Sequence, residues 1–213
     1  SALAGVTREL DRGLQAVVAA RESNGADADA TIDQFIADLA ARHRSQAQDV
    51  LTAEKARQYE THLSAQLDAL RDRLQTVLET GFSPALRDAV LATGEQLSVP
   101  MVVATLQDRE IEARMGDATA LIKTDDTYGE ANVDLDATEA RIRDWYQALP
   151  PAAVPVLAGF IGSSTEGHTT TLGFEGSDYT AALMAAFLNA DSLTRFTDVD
   201  GIYTADPNTD AAA

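Results

Sequence analysis

Ser177 and Asp178 follow Gly176 and precede a run of small and apolar residues in the stretch GFEGSDYTA, Gly173 to Ala181. A hydroxyl and a carboxylate at the start of a helix can help hold an anion or a polar small molecule. The first helical turn leaves backbone N–H groups unpaired and carries the positive end of the dipole. Gly173 and Gly176 let the chain bend and let a ligand approach the backbone closely. A helix beginning near Asp178 also has a plainer use for these residues, because Ser and Asp are common N-caps. Two similar turns follow predicted strands: GFIG at Gly159 to Gly162 and TDVDG at Thr197 to Gly201. No Walker-type phosphate loop and no GxGxxG pattern occurs. His43, His62 and His168 are scattered without ligand spacing, so no metal centre is expected.

The elements that must position these turns fall into two textures. From Thr7 to Ala92 the apolar residues recur with helical period: Leu10, Leu14, Val17 and Val18 share one face, and Ile32, Phe35, Ile36 and Leu39 another. Tyr59, Leu63, Leu67, Leu70, Leu74, Val77 and Leu78 extend the pattern over a long helix. Gly81 is expected to end that helix, and Ser83-Pro84 to cap and open the next. The stripe fits either an isolated coiled coil or the core face of helices packed on a sheet, and the second is expected. Beyond Ala92 strands and helices alternate. Glu110 to Met115 reads as a half-buried strand with Ile111, Ala113 and Met115 inward, and Ile142, Trp145, Tyr146 and Leu149 mark a helix stopped by Pro150-Pro151. Ala153 to Ile161 reads as one apolar strand, followed by a TTTLG strand, the opening turn, a helix, and a strand at Leu193 to Phe196. That rhythm predicts an α/β domain with a mostly parallel sheet, helices on both faces, and ligands at the carboxyl ends of the strands.

Composition narrows the partners. The chain has 213 residues, 45% of them hydrophobic, enough for one sizeable core. With 34 acidic and 16 basic residues, the formal charge of −18 argues against nucleic acid and anionic membranes as partners. Lys55 and Lys123 are the sole lysines, and the dispersed acidic excess suggests a halophilic or acid-biased proteome. Cysteine is absent, as in many proteins of a reducing, cytoplasmic compartment. No 18-residue apolar stretch stands out, so no membrane-spanning helix is expected.

GFIG, TTTLG at Thr169 to Gly173, GSDYTAA at Gly176 to Ala182 and TDVDGIYTADP at Thr197 to Pro207 occur in an order that resembles the aspartokinases of the amino-acid kinase family. SALAGVT at Ser1 to Thr7, Thr93-Gly94-Glu95 and the segment Asp117 to Asp134 fit the same pattern, so the resemblance covers nearly the whole chain. It implies a three-layer α/β/α sandwich, incomplete at both ends: residues 1–213 would be part of a catalytic domain, with 1–92 mainly helical and 93–213 carrying most of the motifs. It also implies transfer of the γ-phosphoryl group of ATP, with Mg2+, to the side-chain carboxylate of aspartate. Thr7, Glu95, Gly176 and Ser177 would bind aspartate, with Glu95 facing its ammonium group. Asp178 would organise the reacting centre, and Thr197, Asp198 and Tyr203 would meet the nucleotide. A homo-oligomer is left open.

The sequence also departs from the family. Phe174 stands where an arginine suited to clamp the α-carboxylate is expected, and Asn208 replaces a second arginine on the nucleotide side. The family's K-F-G-G-type lysine loop does not occur in these residues. The chain by itself is therefore expected to be inactive, with a non-catalytic remnant or assembly module as the alternative reading.

Overall fold

In the computed structural model, residues 2–23, 28–173 and 175–196 are described. Four helices come first: α1 (Val6–Glu22), α2 (Ala28–Val50), α3 (Ala53–Thr80) and α4 (Pro84–Asp108). The α/β part then runs β1 (Ala113–Gly116), α5 (Ala118–Leu121), β2 (Lys123–Thr124), α6 (Leu135–Gln147), β3 (Val154–Leu157), β4 (Ile161–Ser164), β5 (Thr169–Thr171) and α7 (Gly176–Phe187).

Local signals set the helix boundaries. The Ser83 hydroxyl accepts from the Leu86 N–H at 3.2 Å, and Pro84 fills the first turn, where its missing N–H costs nothing. Gly81 ends α3 at a φ of 96°. The predicted stripes are the core: Leu10, Leu14, Ile32, Leu63, Leu70 and Leu74 are fully buried, each worth about 1.5–3 kcal/mol relative to exposure. They join α1 to α4 in one layer. A second cluster (Ala92, Val99, Ala118, Ala158, Ile161) packs α4 onto the strands, and a third (Leu121, Ile122, Ile142, with Met184 and Phe187 against it) packs α6 and α7 on the other side. The outcome is the expected α/β sandwich of three layers.

Helix α4 is the central element. By length and composition it is apolar enough to cross a membrane, with a mean hydropathy of 1.4 over 18 residues, contrary to the expectation that no such stretch exists. Its apolarity follows from its position, since it meets helices on one side and strands on the other. Pro100 lies inside it and supplies no N–H to the carbonyl four residues back. That carbonyl, on Gln96, accepts instead from His62 Nε2 of α3 at 2.9 Å, and Tyr59 Oη donates to the next carbonyl, on Leu97, at 2.9 Å.

The sheet departs from expectation in three places. Ala153 to Ile161 is not one strand. It breaks into β3 and β4 at Phe160, whose φ of 70° turns the chain, and the two halves join different ladders. β3 pairs in parallel with β1, while β4 pairs in parallel with β2 and antiparallel with β5. The strand expected over Glu110 to Met115 begins only at Ala113, and Met115 is 51% exposed, so the inward face is carried by Ala113 and Gly116 instead. Leu193 to Phe196 forms no strand, and Phe196 is 94% exposed.

Candidate functional site

The break between β3 and β4 positions the site. A Cβ on Gly159 would sit 2.7 Å from Ser177 Cα, so the strand end rests directly on the first turn of α7 and only glycine permits that approach. A Cβ on Gly176 would come within 2.9 Å of Leu172 and 3.1 Å of Phe160. The chain therefore enters α7 through Gly173 at a φ of 77° and Glu175 at 59°. Left-handed φ is uncommon for residues such as Phe160 and Glu175, and such conformations cluster where a site fixes a side chain.

The helix begins at Gly176, earlier than expected, and its N-cap is Glu175, which makes no side-chain capping bond. Ser177 and Asp178 are thus inside the first turn and are not its caps. The Ser177 hydroxyl points to Glu95 of α4 and donates to Oε1 at 3.4 Å. Asp178 forms an ion pair with Arg195, Nη2 to Oδ2 at 2.8 Å, and the same nitrogen lies 3.3 Å from Glu175 Oε1.

These groups line a cleft of about 1040 Å³. Thr7, Glu95, Gly176, Ser177 and Asp178 all border it, brought together from α1, α4 and α7. Glu95 is 3% exposed, while Thr7, Ser177 and Asp178 are half-buried. Thr7 belongs to the first turn of α1, whose N-cap, Gly5, has a φ of 82° and likewise makes no side-chain cap bond. Two helix N-termini without side-chain caps therefore open on one cleft, a setting that favours negative charge. Arg8, Arg87 and Arg195 add cationic groups to its wall, beside the further carboxylates of Glu130 and Glu175, and Arg87 is held by Asp11 at 2.9 Å. Neither lysine reaches it: Lys55 belongs to α3, and Lys123 of β2 donates to Ser163 Oγ at 2.7 Å. Thr197, Asp198, Tyr203, Phe174 and Asn208 lie outside the described residues.

The sequence reading missed Asp88 and Arg195. Asp88 is buried on α4, seven residues before Glu95. Its Oδ2 accepts the Gly129 N–H at 2.9 Å and the Thr171 N–H at 2.8 Å, and its Oδ1 accepts the Thr171 hydroxyl at 3.0 Å. Gly129 and Thr171 both border the cleft, so Asp88 holds part of its wall. An acidic residue at i−7 from Glu95, on the same helical face, was the available signal. Arg195 belongs to none of the motifs read from the sequence.

The model of the Amino acid kinase family matches residues 7–213. The lysine-sensitive aspartokinase 3 of Escherichia coli (strain K12) is 41% identical over 133 residues, 62% of this chain and 29% of that protein. The chloroplastic bifunctional aspartokinase/homoserine dehydrogenase 2 of Arabidopsis thaliana is 31% identical over 180 residues, 82% of this chain and 20% of that protein. Among solved structures, E. coli aspartokinase III in complex with aspartate and ADP superposes with a TM-score of 0.74 at 31% identity, covering 100% of this chain and 44% of its own. The matched segments thus cover less than a third of the length of these curated relatives, and the whole chain less than half of the solved structure.

Proposed function

Because this chain belongs to the amino acid kinase family, we propose that its cleft seats L-aspartate beside ATP in an aspartate kinase, giving 4-phospho-L-aspartate and ADP in the biosynthesis of lysine, threonine and methionine. The observation that carries this reading is the meeting of Ser177 with Glu95 across 82 residues of sequence, in a cleft that Thr7, Gly176 and Asp178 also line.

In this reading the Glu95 carboxylate receives the α-ammonium group of aspartate, and the Thr7 and Ser177 hydroxyls fix its carboxylates. The side-chain carboxylate is ionised at neutral pH and needs no general base. One of its oxygens forms a bond to the γ-phosphorus as the bond to the β-phosphate oxygen breaks, and ADP leaves with that electron pair. Such a loose transition state asks the protein for alignment and for positive potential around the equatorial oxygens. The N-termini of α1 and α7 and the cleft arginines are suited to supply it. Asp178, tied to Arg195, acts by orienting that guanidinium. Mg2+ enters with the triphosphate as part of the co-substrate, and Thr197, Asp198 and Tyr203 are proposed to meet the nucleotide. With no lysine bordering the cleft, the 213 residues alone are proposed to bind aspartate without measurable turnover.

The test is titration of L-aspartate into the chain and into Glu95→Gln, which keeps shape and removes the charge opposite the ammonium group. Loss of a charge-assisted hydrogen bond should weaken binding by roughly ten- to a hundred-fold. Equal affinities, or no binding to the unaltered chain, would remove aspartate from this cleft.

A further inference from the structure

A second cavity, of about 330 Å³, lies behind Glu95. It forms at the carboxyl ends of the parallel pair β1 and β3, where Gly116 and Asp117 close one strand and Ala158 follows the other. There the chain leaves that ladder for the one built by β2, β4 and β5. Crevices outside the carboxyl ends of parallel strands are favoured ligand sites, and this volume is within the range of small-molecule pockets. Helix α4 closes the cavity with Glu95, Gln96 and Val99, and α3 with His62 and Gln66. Among the described residues, Glu95 alone borders both this cavity and the cleft.

The charge of the lining is one-sided. Glu95 and Asp117 bring two carboxylates, and no lysine or arginine borders the cavity among the described residues. Lys123 acts on Asp117 from outside the lining, with its ammonium group on the Thr119 carbonyl at 3.0 Å and the Ser163 hydroxyl at 2.7 Å. Asp117 is exposed, and its Oδ1 accepts the Thr119 N–H at 2.9 Å and the Thr119 hydroxyl at 2.7 Å, which fixes the carboxylate at the end of β1. Glu95 is buried, so its charge is poorly screened by water. Gln96 Oε1 is a buried acceptor that receives no hydrogen bond among the described residues. The rest of the wall is apolar, with Val99, Ala158 and Ile161 all buried. We infer that this cavity binds a primary alkylammonium ligand, its head group toward Glu95 and its short hydrocarbon body along Val99, Ala158 and Ile161. A cation there offsets the negative charge that the same carboxylate presents to the cleft. The cavity ligand and the cleft ligand therefore weaken each other's binding by a common factor. That coupling, unlike the cavity itself, rests on the aspartate reading of the cleft.

The test is titration of n-butylammonium into the 213-residue chain at fixed ionic strength, followed by amide NMR shifts, with n-butanol as the uncharged comparison. The amides of Gln96 and of residues 116–119 should shift saturably, and n-butanol should bind about ten-fold or more weakly, the range of one charge-assisted hydrogen bond. Asp117→Asn keeps an acceptor for Thr119 and removes the charge, and should weaken n-butylammonium by about two- to five-fold, as for one exposed charge. Equal affinity for n-butanol, unsaturable shifts spread over the acidic surface, or an Asp117→Asn variant that binds as before would each overturn the assignment. Saturating n-butylammonium should lower L-aspartate affinity by about five-fold or more. Saturable binding at the cavity with aspartate affinity unchanged would overturn the coupling through Glu95. Saturable binding in a chain that takes up no aspartate would support the cavity ligand and remove the aspartate reading alone.

Discussion

Replacing Asp88 by alanine removes the acceptor of three hydrogen bonds at once, two from backbone N–H groups and one from the Thr171 hydroxyl. The Thr171 N–H is buried, so it is left without water, at a cost of about 1–3 kcal/mol. Gly129 is half-buried and regains solvent, so only the net value of its bond is lost, roughly 1.5 kcal/mol for a charged acceptor. Together with the hydroxyl bond, Asp88→Ala should cost about 3–5 kcal/mol, a large part of the 5–15 kcal/mol of an ordinary domain. Asp88→Asn is the control. Its carbonyl oxygen can take the Oδ2 position and keep both backbone donors, while its amide donates to the Thr171 hydroxyl oxygen, so only the charge assistance goes, about 1–2 kcal/mol. Urea unfolding at fixed salt measures both. The reasoning is refuted if alanine costs less than about 1 kcal/mol, or if alanine and asparagine are equally damaging. Because Gly129 and Thr171 border the cleft, the alanine variant should also lose aspartate affinity under folding conditions, and the asparagine variant should retain it.

Three further outcomes are expected. Gly159→Ala places a methyl group 2.7 Å from Ser177 Cα, so the α7 turn must shift, with a loss of about 1–3 kcal/mol in urea unfolding and weaker aspartate binding; an unchanged variant would show that the contact yields freely. His43 is buried, and that burial lowers its pKa below the usual 6.5, helped by Arg42 and opposed by its bond to the Leu39 carbonyl and by Glu9. The unfolded chain then takes up the proton first, so stability should fall as pH drops below 6.5, before the carboxylates titrate, and His43→Asn should flatten melting curves between pH 7.5 and about 5.5; equal slopes would exclude His43 as their source. Self-repulsion at a charge of −18 should make the melting temperature rise with potassium chloride, as the screening length shortens from about 10 Å at 0.1 M to about 3 Å at 1 M; a flat or falling curve would contradict the halophile reading.

The helical half was legible because its signals are local. The period of Leu63, Leu67, Leu70 and Leu74, the Ser83-Pro84 start and the Gly81 stop each act within one or two turns. The sheet was less so. AVPVLAGFI is apolar throughout, and nothing in hydrophobicity marks Phe160 as the residue that turns left-handed and sends β3 and β4 into separate ladders. The Ser177 and Asp178 positions were legible, but the capping use expected of them does not occur, because the helix starts at Gly176, with Gly159 seated against Ser177. Asp88 and Arg195 needed the tertiary structure, since each acts on groups brought from distant segments. The apolarity of α4 illustrates the same limit: composition alone does not distinguish a span from a helix clasped on both sides.

The carbonyls of Gln96 and Leu97 fasten α4 to α3. Pro100 removes one rung from the ladder of α4, His62 of α3 supplies the donor that the Gln96 carbonyl lacks, and Tyr59 adds a second tie at Leu97. The turns before Pro100 hold Asp88 and Glu95. At the far end Asp108 accepts from the Thr52 N–H at 2.8 Å, where α3 begins. The longest helix, itself remote from the cleft, is thus stitched to the helix that carries Glu95, starting one residue beyond that carboxylate.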